Sequence, residues 1–183
     1  EILEEAARLL QTRSYSSFSY QDLADLLGIR KASIHHHFRS KEDLGIALAE
    51  RFHHEAKERL EEIVRMYEQP WDRFEAYLAS VSDIMLAGDR ICPAGVLQCE
   101  HNVVPERVRA GVTSMNQYTR GWLAGVLSRG RAAGVMWFAG SPEGDAALIV
   151  AALQGALQNA RSEGPQIYRA VVAQIRAGLK QKE

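Results

Sequence analysis

The sequence predicts an all-α protein, and three observations carry that expectation. Apolar residues recur at three- and four-residue spacing in every long segment. Serine, proline and glycine punctuate those segments where helices start and stop. Apolar and polar residues nowhere alternate in the manner of a strand, and no internal repeat or low-complexity tract interrupts the pattern.

Taken in order, about nine helices are expected. Ile2, Leu3, Ala6, Ala7 and Leu10 share one face of a first helix that ends near Ser14. Ser19 is placed as the N-cap of a second, Tyr20 to Leu27, which buries Leu23, Ala24 and Leu27. Gly28 then offers the positive φ that a helix C-terminus requires. A short third helix runs from about Lys31 to Phe38. Ser40 with Asp43 resembles a capping box and opens a long fourth helix, about Lys41 to Tyr67. Pro70 sits at a first helical position and begins a fifth, reaching about Ala87. Gly88 to Gly95 reads as a break containing Pro93, followed by a short helix near Val96 to His101. Pro105 opens another long helix that reaches about Ala133. After an aromatic loop, Gly134 to Pro142, two last helices cover Pro142 to Ser162 and Pro165 to Leu179.

At 183 residues, with 46 % apolar and 25 % charged residues, the chain is long enough for one or two domains with a sizeable core, and its composition is that of a soluble globular protein. Its longest apolar runs, such as Ala146 to Leu153, are far too short to cross a bilayer, so no membrane partner is expected. Glu1 begins inside an amphipathic pattern that reads as clipped, with no signal-peptide layout, and a cytoplasmic location is expected. Cys92 and Cys99 are too few for a disulfide scaffold; in a cytosolic chain they are buried hydrophobes or reactive thiols first. The net charge of −1 does not mark a nucleic-acid binder, but its distribution does. Between Asp25 and Glu42 there is no acidic residue, while Arg30, Lys31, Arg39 and Lys41 all fall there.

That basic stretch covers a helix, a glycine turn and a second helix, from Tyr20 to Leu44. These are the parts of a helix-turn-helix, which seats its second helix in a DNA major groove. On a wheel of about 100° per residue, Ile34 and Phe38 form the buried side of the third helix. Ala32 and His36 point away from them, with Ser33 and His35 on the flanks. The small Ala32 permits close approach and a thymine-methyl contact; the hydroxyl and imidazoles reach base edges or phosphates, with Arg30 and Lys31 at the helix start. Lys41 and the N–H groups at the start of the fourth helix are expected to clamp a phosphate. Ser19 is either a second such contact or a plain N-cap. A metal site at His35, His36 and His37 is not expected, because adjacent helical residues point in different directions and cannot converge on one ion.

Residues 2 to 48 resemble the N-terminal domain of the TetR family of repressors. That family has a turn glycine, a recognition helix of the form S/T-K-G-A-L/F-Y-H/Y-H-F and a capped K-E-x-L. Here Gly28 is followed by Arg30-Lys31-Ala32-Ser33-Ile34-His35-His36-His37-Phe38 and then by Lys41-Glu42-Asp43-Leu44. Two residues depart: Arg30 stands where a capping hydroxyl is usual, and His35 where a phosphate-contacting tyrosine is usual. The resemblance implies a repressor that binds a palindromic operator in double-stranded DNA as a homodimer and is released by a small-molecule effector. It also implies a helix-turn-helix DNA-binding domain at residues 1–44 and an effector-binding and dimerisation domain at 45–183.

In such proteins the last two long helices pair with those of a partner. Leu148, Ala151, Ala152, Gly155, Ala156 and Asn159 form a stripe of mostly small residues that allows close helix–helix approach. Ile167, Val171, Val172, Ile175 and Leu179 stripe the final helix, with Val171 and Ile175 expected at the dimer interface. The middle helices carry Phe74, Tyr77, Leu78, Met85, Met115, Tyr118 and Trp122, which by residue type are ordinary core and by the resemblance line an effector pocket. Cys92 follows Arg90 at a helix start, a setting that lowers a thiol pKa. TetR-like proteins that sense electrophiles or oxidants carry a G-C-L-type segment at a comparable place, which Ile91-Cys92-Pro93 resembles in part. Cys92 is thus a candidate thiol sensor, beside the alternatives of a packing cysteine and a non-covalent effector. No enzyme is expected. Glu50-Arg51-Phe52-His53 matches one E-x-x-H of a di-iron helical bundle, but such a site needs two pairs and two further glutamates, and no second pair exists. With no nucleotide loop and no nucleophile elbow either, neither a cofactor nor a metal is expected.

Overall fold

The computed structural model describes residues 1–86 and 91–180, without the side chains of 84–86. Among the described residues there is no strand, and the helices in chain order are α1 (Ile2–Arg13), α2 (Tyr20–Leu27), α3 (Lys31–His37), α4 (Lys41–Met66), α5 (Pro70–Leu86), α6 (Pro93–Cys99), α7 (Glu106–Ala132), α8 (Pro142–Glu163) and α9 (Pro165–Leu179). The largest departure from the expected bounds is α6, which starts at Pro93 rather than near Val96. A proline at a helix's first position lacks only an N–H that would be unpaired there, so the residue read as a breaker is the initiator.

The caps explain why the other bounds hold. Asp22 N–H donates to Ser19 Oγ at 3.3 Å while Ser19 N–H donates to Asp22 Oδ2 at 2.7 Å, a reciprocal box at the start of α2. Ser40 and Asp43 repeat it at the start of α4, at 3.1 and 3.0 Å. Gly28 closes α2 at φ 64° and ψ 29°, where a Cβ would be unwelcome. Ser14, after α1, takes φ 90° and ψ 169° without being glycine.

The chain divides into two compact units, one comprising Glu1–Glu55 and Asp89–Asn116, the other Ala56–Gly88 and Gln117–Glu183. The expected boundary after residue 44 does not coincide with this division. In the first unit, Ala94, Val96 and Leu97 of α6 and Val108 and Val112 of α7 share one core with α1 to α4. Periodicity shows that such residues face a core, not which one. Leu9, Leu10, Leu23, Ile34, Leu44 and Leu48 form its sealed centre. α4 and α7 approach there because two glycines lack a Cβ. One built on Gly45 would lie 2.9 Å from Val108 Cγ2 and 3.0 Å from Tyr15 Cε2, and one on Gly111 would lie 2.9 Å from Ala49 Cβ.

In the second unit α8 lies along α9, burying Ile149, Leu153, Tyr168 and Val172. Arg176 of α9 donates to the Glu75 carboxylate of α5 at 2.6 to 3.0 Å, from both Nε and Nη2. No helix among the described residues is long and apolar enough to cross a membrane.

Candidate nucleic-acid interface

One residue seats α3. Ile34 is 0 % exposed in the first unit's core, with Phe38 half-buried behind it. Every other residue of the helix faces outward: Lys31, Ala32, Ser33, His35, His36 and His37 are all exposed, as is Arg30 before them. Arg30 is the N-cap through its backbone alone, its carbonyl accepting Ser33 N–H at 2.8 Å while its side chain makes no capping bond. The departure from a capping hydroxyl therefore leaves a guanidinium free of capping duty. His35 stands edge-on to Tyr20, with ring centroids 4.7 Å apart and planes at 64°, and the rings of His36 and His37 are 5.6 Å apart. Among the described residues no group of three or more His, Cys, Asp or Glu could hold a metal ion. Arg30, Lys31 and Arg39 are exposed and form no ion pair among the described residues. Their charge is available to a polyanion.

The platform under α3 is held by groups that sequence reasoning gave other roles or none. The Tyr20 hydroxyl donates toward the carbonyls of Ser40, at 2.5 Å, and Phe38, at 3.1 Å, fixing the turn that leaves α3. Burial, reinforced by the Asp43 carboxylate, pushes this phenol up to about 12. Lys41, expected to reach a phosphate, instead turns inward. Its ammonium donates to the Phe18 carbonyl and lies 5.0 Å and 4.7 Å from the ring centroids of Tyr15 and Phe18. Burial lowers its pKa, against the opposing pull of Glu100 and Asp22. A flexible four-carbon stem can lie over aromatic faces while its head finds a carbonyl, and that environment competes with water. The exposed charge beside the start of α4 therefore belongs to Arg39. Ser19 has the geometry of a plain N-cap: its hydroxyl lies 2.5 Å from Asp22 Oδ2. Its hydroxyl and N–H together hold the Asp22 carboxyl below the ordinary range.

The remaining candidates separate by unit. Phe74, Tyr77 and Leu78 of α5 are buried in the second unit. There the Tyr77 and Trp122 rings are 5.7 Å apart at 44°, and Tyr118 is half-buried. The Trp122 indole N–H is shielded from solvent and has no acceptor among the described residues, an uncommon state for a buried donor. Met115 packs, partly buried, against the core of the first unit. The side chain of Met85 lies outside the described residues. Cys92 is the N-cap of α6 and packs half-buried against the first unit's core. Arg90, expected beside it, lies outside the described residues. Cys99 is the exposed thiol of the two, and no disulfide joins them. Along α8, Leu148 is 66 % exposed, Ala151, Gly155 and Asn159 are exposed, and Ala152 is half-buried. Ala156 leaves this stripe. It lies about 80° round the helix from Leu148 and is 2 % exposed, inside the chain's own core. Val171 and Ile175 are half-buried on α9, beside the buried Val172.

A short helix pinned by one isoleucine, presenting small, hydroxylic and imidazole side chains amid unpaired arginines and lysine, defines a helix-turn-helix DNA-binding protein. The comparisons with known proteins narrow that class. The family model of bacterial regulatory proteins of the tetR family matches residues 2–48. A transcriptional regulator of the TetR family from Agrobacterium tumefaciens is 31 % identical, with a TM-score of 0.94 over 98 % of this chain and 96 % of that one. A TetR transcriptional regulator from Legionella pneumophila is 25 % identical, with a TM-score of 0.88 over 98 % and 95 %. NemR of E. coli in its reduced form, at 23 % identity, shares the fold, with a TM-score of 0.88 over 99 % and 96 %. No curated protein matches in sequence. The chain belongs to the TetR family of transcriptional regulators, a DNA-binding and non-enzymatic family.

Proposed function

We propose that this regulator is a repressor, that it binds a palindromic operator as a homodimer, and that a small-molecule effector releases it. The observation that carries the reading is the outward face of α3. Ala32, Ser33, His35 and His36 are exposed and suit contact with base edges, and the exposed Arg30, Lys31 and Arg39 suit phosphate contacts. Ser19 and the start of α4 approach the backbone as capped helix N-termini. In this reading residues 1–44 supply the DNA-contacting surface, and 45–183 carry the effector and dimer functions.

Two features of the second unit support the rest. Leu148, Ala151 and Gly155 on α8 are exposed, and so are Ala170, Ala173 and Ala177 on α9. Two neighbouring helices with small exposed side chains suit close packing against the same pair from a second copy, and a two-fold dimer suits a palindrome. The Trp122 N–H, beside Tyr77 and without an acceptor among the described residues, suits an effector that carries a hydrogen-bond acceptor. Such a ligand must bind the DNA-incompetent arrangement more tightly than the competent one. Selection from a randomised duplex library should enrich a palindrome, and titration of that duplex should saturate at two chains per site. Enrichment of no palindrome, or saturation at one chain, overturns the reading.

A further inference from the structure

Glu100, the C-cap of α6, reaches across to the turn between α1 and α2. Its Oε2 accepts Tyr15 N–H at 2.6 Å and Ser16 N–H at 3.2 Å, its Oε1 lies 3.3 Å from the same Ser16 nitrogen, and the Ser16 hydroxyl donates to Oε1. One carboxylate thus gathers the donors of a turn that begins at Ser14, the one described non-glycine residue at positive φ. The other end of the same segment is tied to α1. Ile91 N–H donates to the Gln11 carbonyl at 2.9 Å, and the Gln11 side-chain amide donates to the Ile91 carbonyl at 3.3 Å. Residues 91–100 therefore form a strap fastened at both ends to the C-terminal half of α1 and the turn after it.

The turn, in turn, supports the start of α4. Tyr15 OH donates to the Lys41 carbonyl at 3.0 Å, and the Lys41 ammonium is fixed by Phe18 and the two aromatic rings. The turn also leads directly into Ser19 and α2. We propose that Glu100 is a positioning residue for operator binding: by holding the Tyr15–Ser16 turn it sets the starts of α2 and α4 against the DNA backbone. The contact is suited to reversible use because it is polar and lies at an exposed edge, where Ser16 is open to solvent. Ala94, Val96 and Leu97 keep α6 in the core whether or not the carboxylate is engaged. Burial would raise the Glu100 carboxyl, but the bonds from Ser16, Tyr15 and Ser14 outweigh it and hold the group below its ordinary value.

This inference rests on the reading that duplex DNA is the target, and the test separates the two. The probe is a duplex enriched by the wild-type protein; if wild type enriches none, the underlying reading fails. With wild-type binding in hand, Glu100→Ala should lower affinity about tenfold or more, the effect of a lost charge-assisted hydrogen bond. Amide exchange should quicken at Tyr15 and Ser16 while Leu9 and Leu10 in the core stay protected. Acetate should restore part of the affinity relative to chloride at equal ionic strength, by filling the vacated cradle. Should Glu100→Ala fold poorly, Glu100→Gln serves in its place: it keeps one acceptor oxygen but sets an amide NH2 against the Ser16 donors, so affinity should fall severalfold. Wild-type affinity in the folded variant, or unchanged exchange at Tyr15 and Ser16, overturns the proposal.

Discussion

Two lysines ten positions apart in the same basic segment have different fates, and the difference can be measured. Lys31 is exposed at the start of α3, whereas the Lys41 ammonium is held by the Phe18 carbonyl over two aromatic rings. Lys31→Ala and Arg39→Ala should each weaken duplex binding about equally across sequences and reduce the salt slope by about one. Lys41→Ala should lose roughly 1–3 kcal/mol of folding stability before any effect on DNA is considered, since it removes a charged hydrogen bond and two cation–π contacts. Chemical denaturation beside a salt titration distinguishes the two fates; a Lys41 variant with unchanged midpoint and altered slope would make it a phosphate contact after all. His36→Ala should instead change which base pairs are preferred, because its imidazole is exposed on the face opposite Ile34. Ser14 offers a prediction of the opposite sign. Its φ of 90° and ψ of 169° lie where glycine alone is at ease. Ser14→Gly should therefore raise stability by about 1 kcal/mol, the relieved strain exceeding the entropy glycine loses on folding. A lower melting temperature would mean that the Ser14 hydroxyl contact to Ser17 outweighs the backbone.

At the scale of elements, crowding decides which glycines can change. Gly45 of α4 faces Val108 and Tyr15 at distances no side chain tolerates, while a Cβ on Gly121 of α7 meets nothing within 4 Å. Gly45→Val should cost about 1–3 kcal/mol through overpacking, and Gly121→Ala should gain up to about 1 kcal/mol from helix propensity. Thermal melts of the pair test this, and a shift of the same sign in both would deny the close approach of α4 and α7. The contrast also marks what a sequence can show. Helix starts were legible because a cap is local chemistry: Ser19, Ser40, Pro70 and Pro165 sit beside the elements they start. The outward face of α3 was legible for the same reason, since one pinned isoleucine sets the rotation of a seven-residue helix. Long-range placement was not. Nothing near Glu100 points to a turn 85 positions earlier, and the stripe that includes Met115 has the same period whichever core it joins. The inward turn of Lys41 was not legible, because its residue type suits both a phosphate and an aromatic cradle, and only the fold brings Tyr15 and Phe18 beneath it. Accessibility was not legible for the thiols either: Cys92 packs half-buried against the core while Cys99 is exposed.

For the whole molecule, the decisive quantity is whether α8 and α9 meet a second copy of themselves. Leu148 is 66 % exposed, and the small Ala151 and Gly155 continue its exposed stripe. Gly155 has open space around its missing Cβ within the chain. That makes it a cleaner probe than its neighbours, because Gly155→Leu can be accommodated by the isolated fold and should leave its melting cooperative. Across a close two-fold contact the same leucine would crowd the partner's helices, at a cost of about 1–3 kcal/mol or more. Sedimentation should then show dissociation at concentrations where the wild type is dimeric. Operator affinity should fall with it, by up to the lost dimerisation energy, because two half-sites are held together only while the two α3 helices are linked. Ala156→Leu is the internal comparison: Ala156 is buried at 2 % within the chain, so its enlargement should lower thermal stability whether or not a dimer forms. If Gly155→Leu remains dimeric and binds the palindrome as wild type does, the two copies meet through another face, and the exposed alanines of α8 and α9 have no part in it.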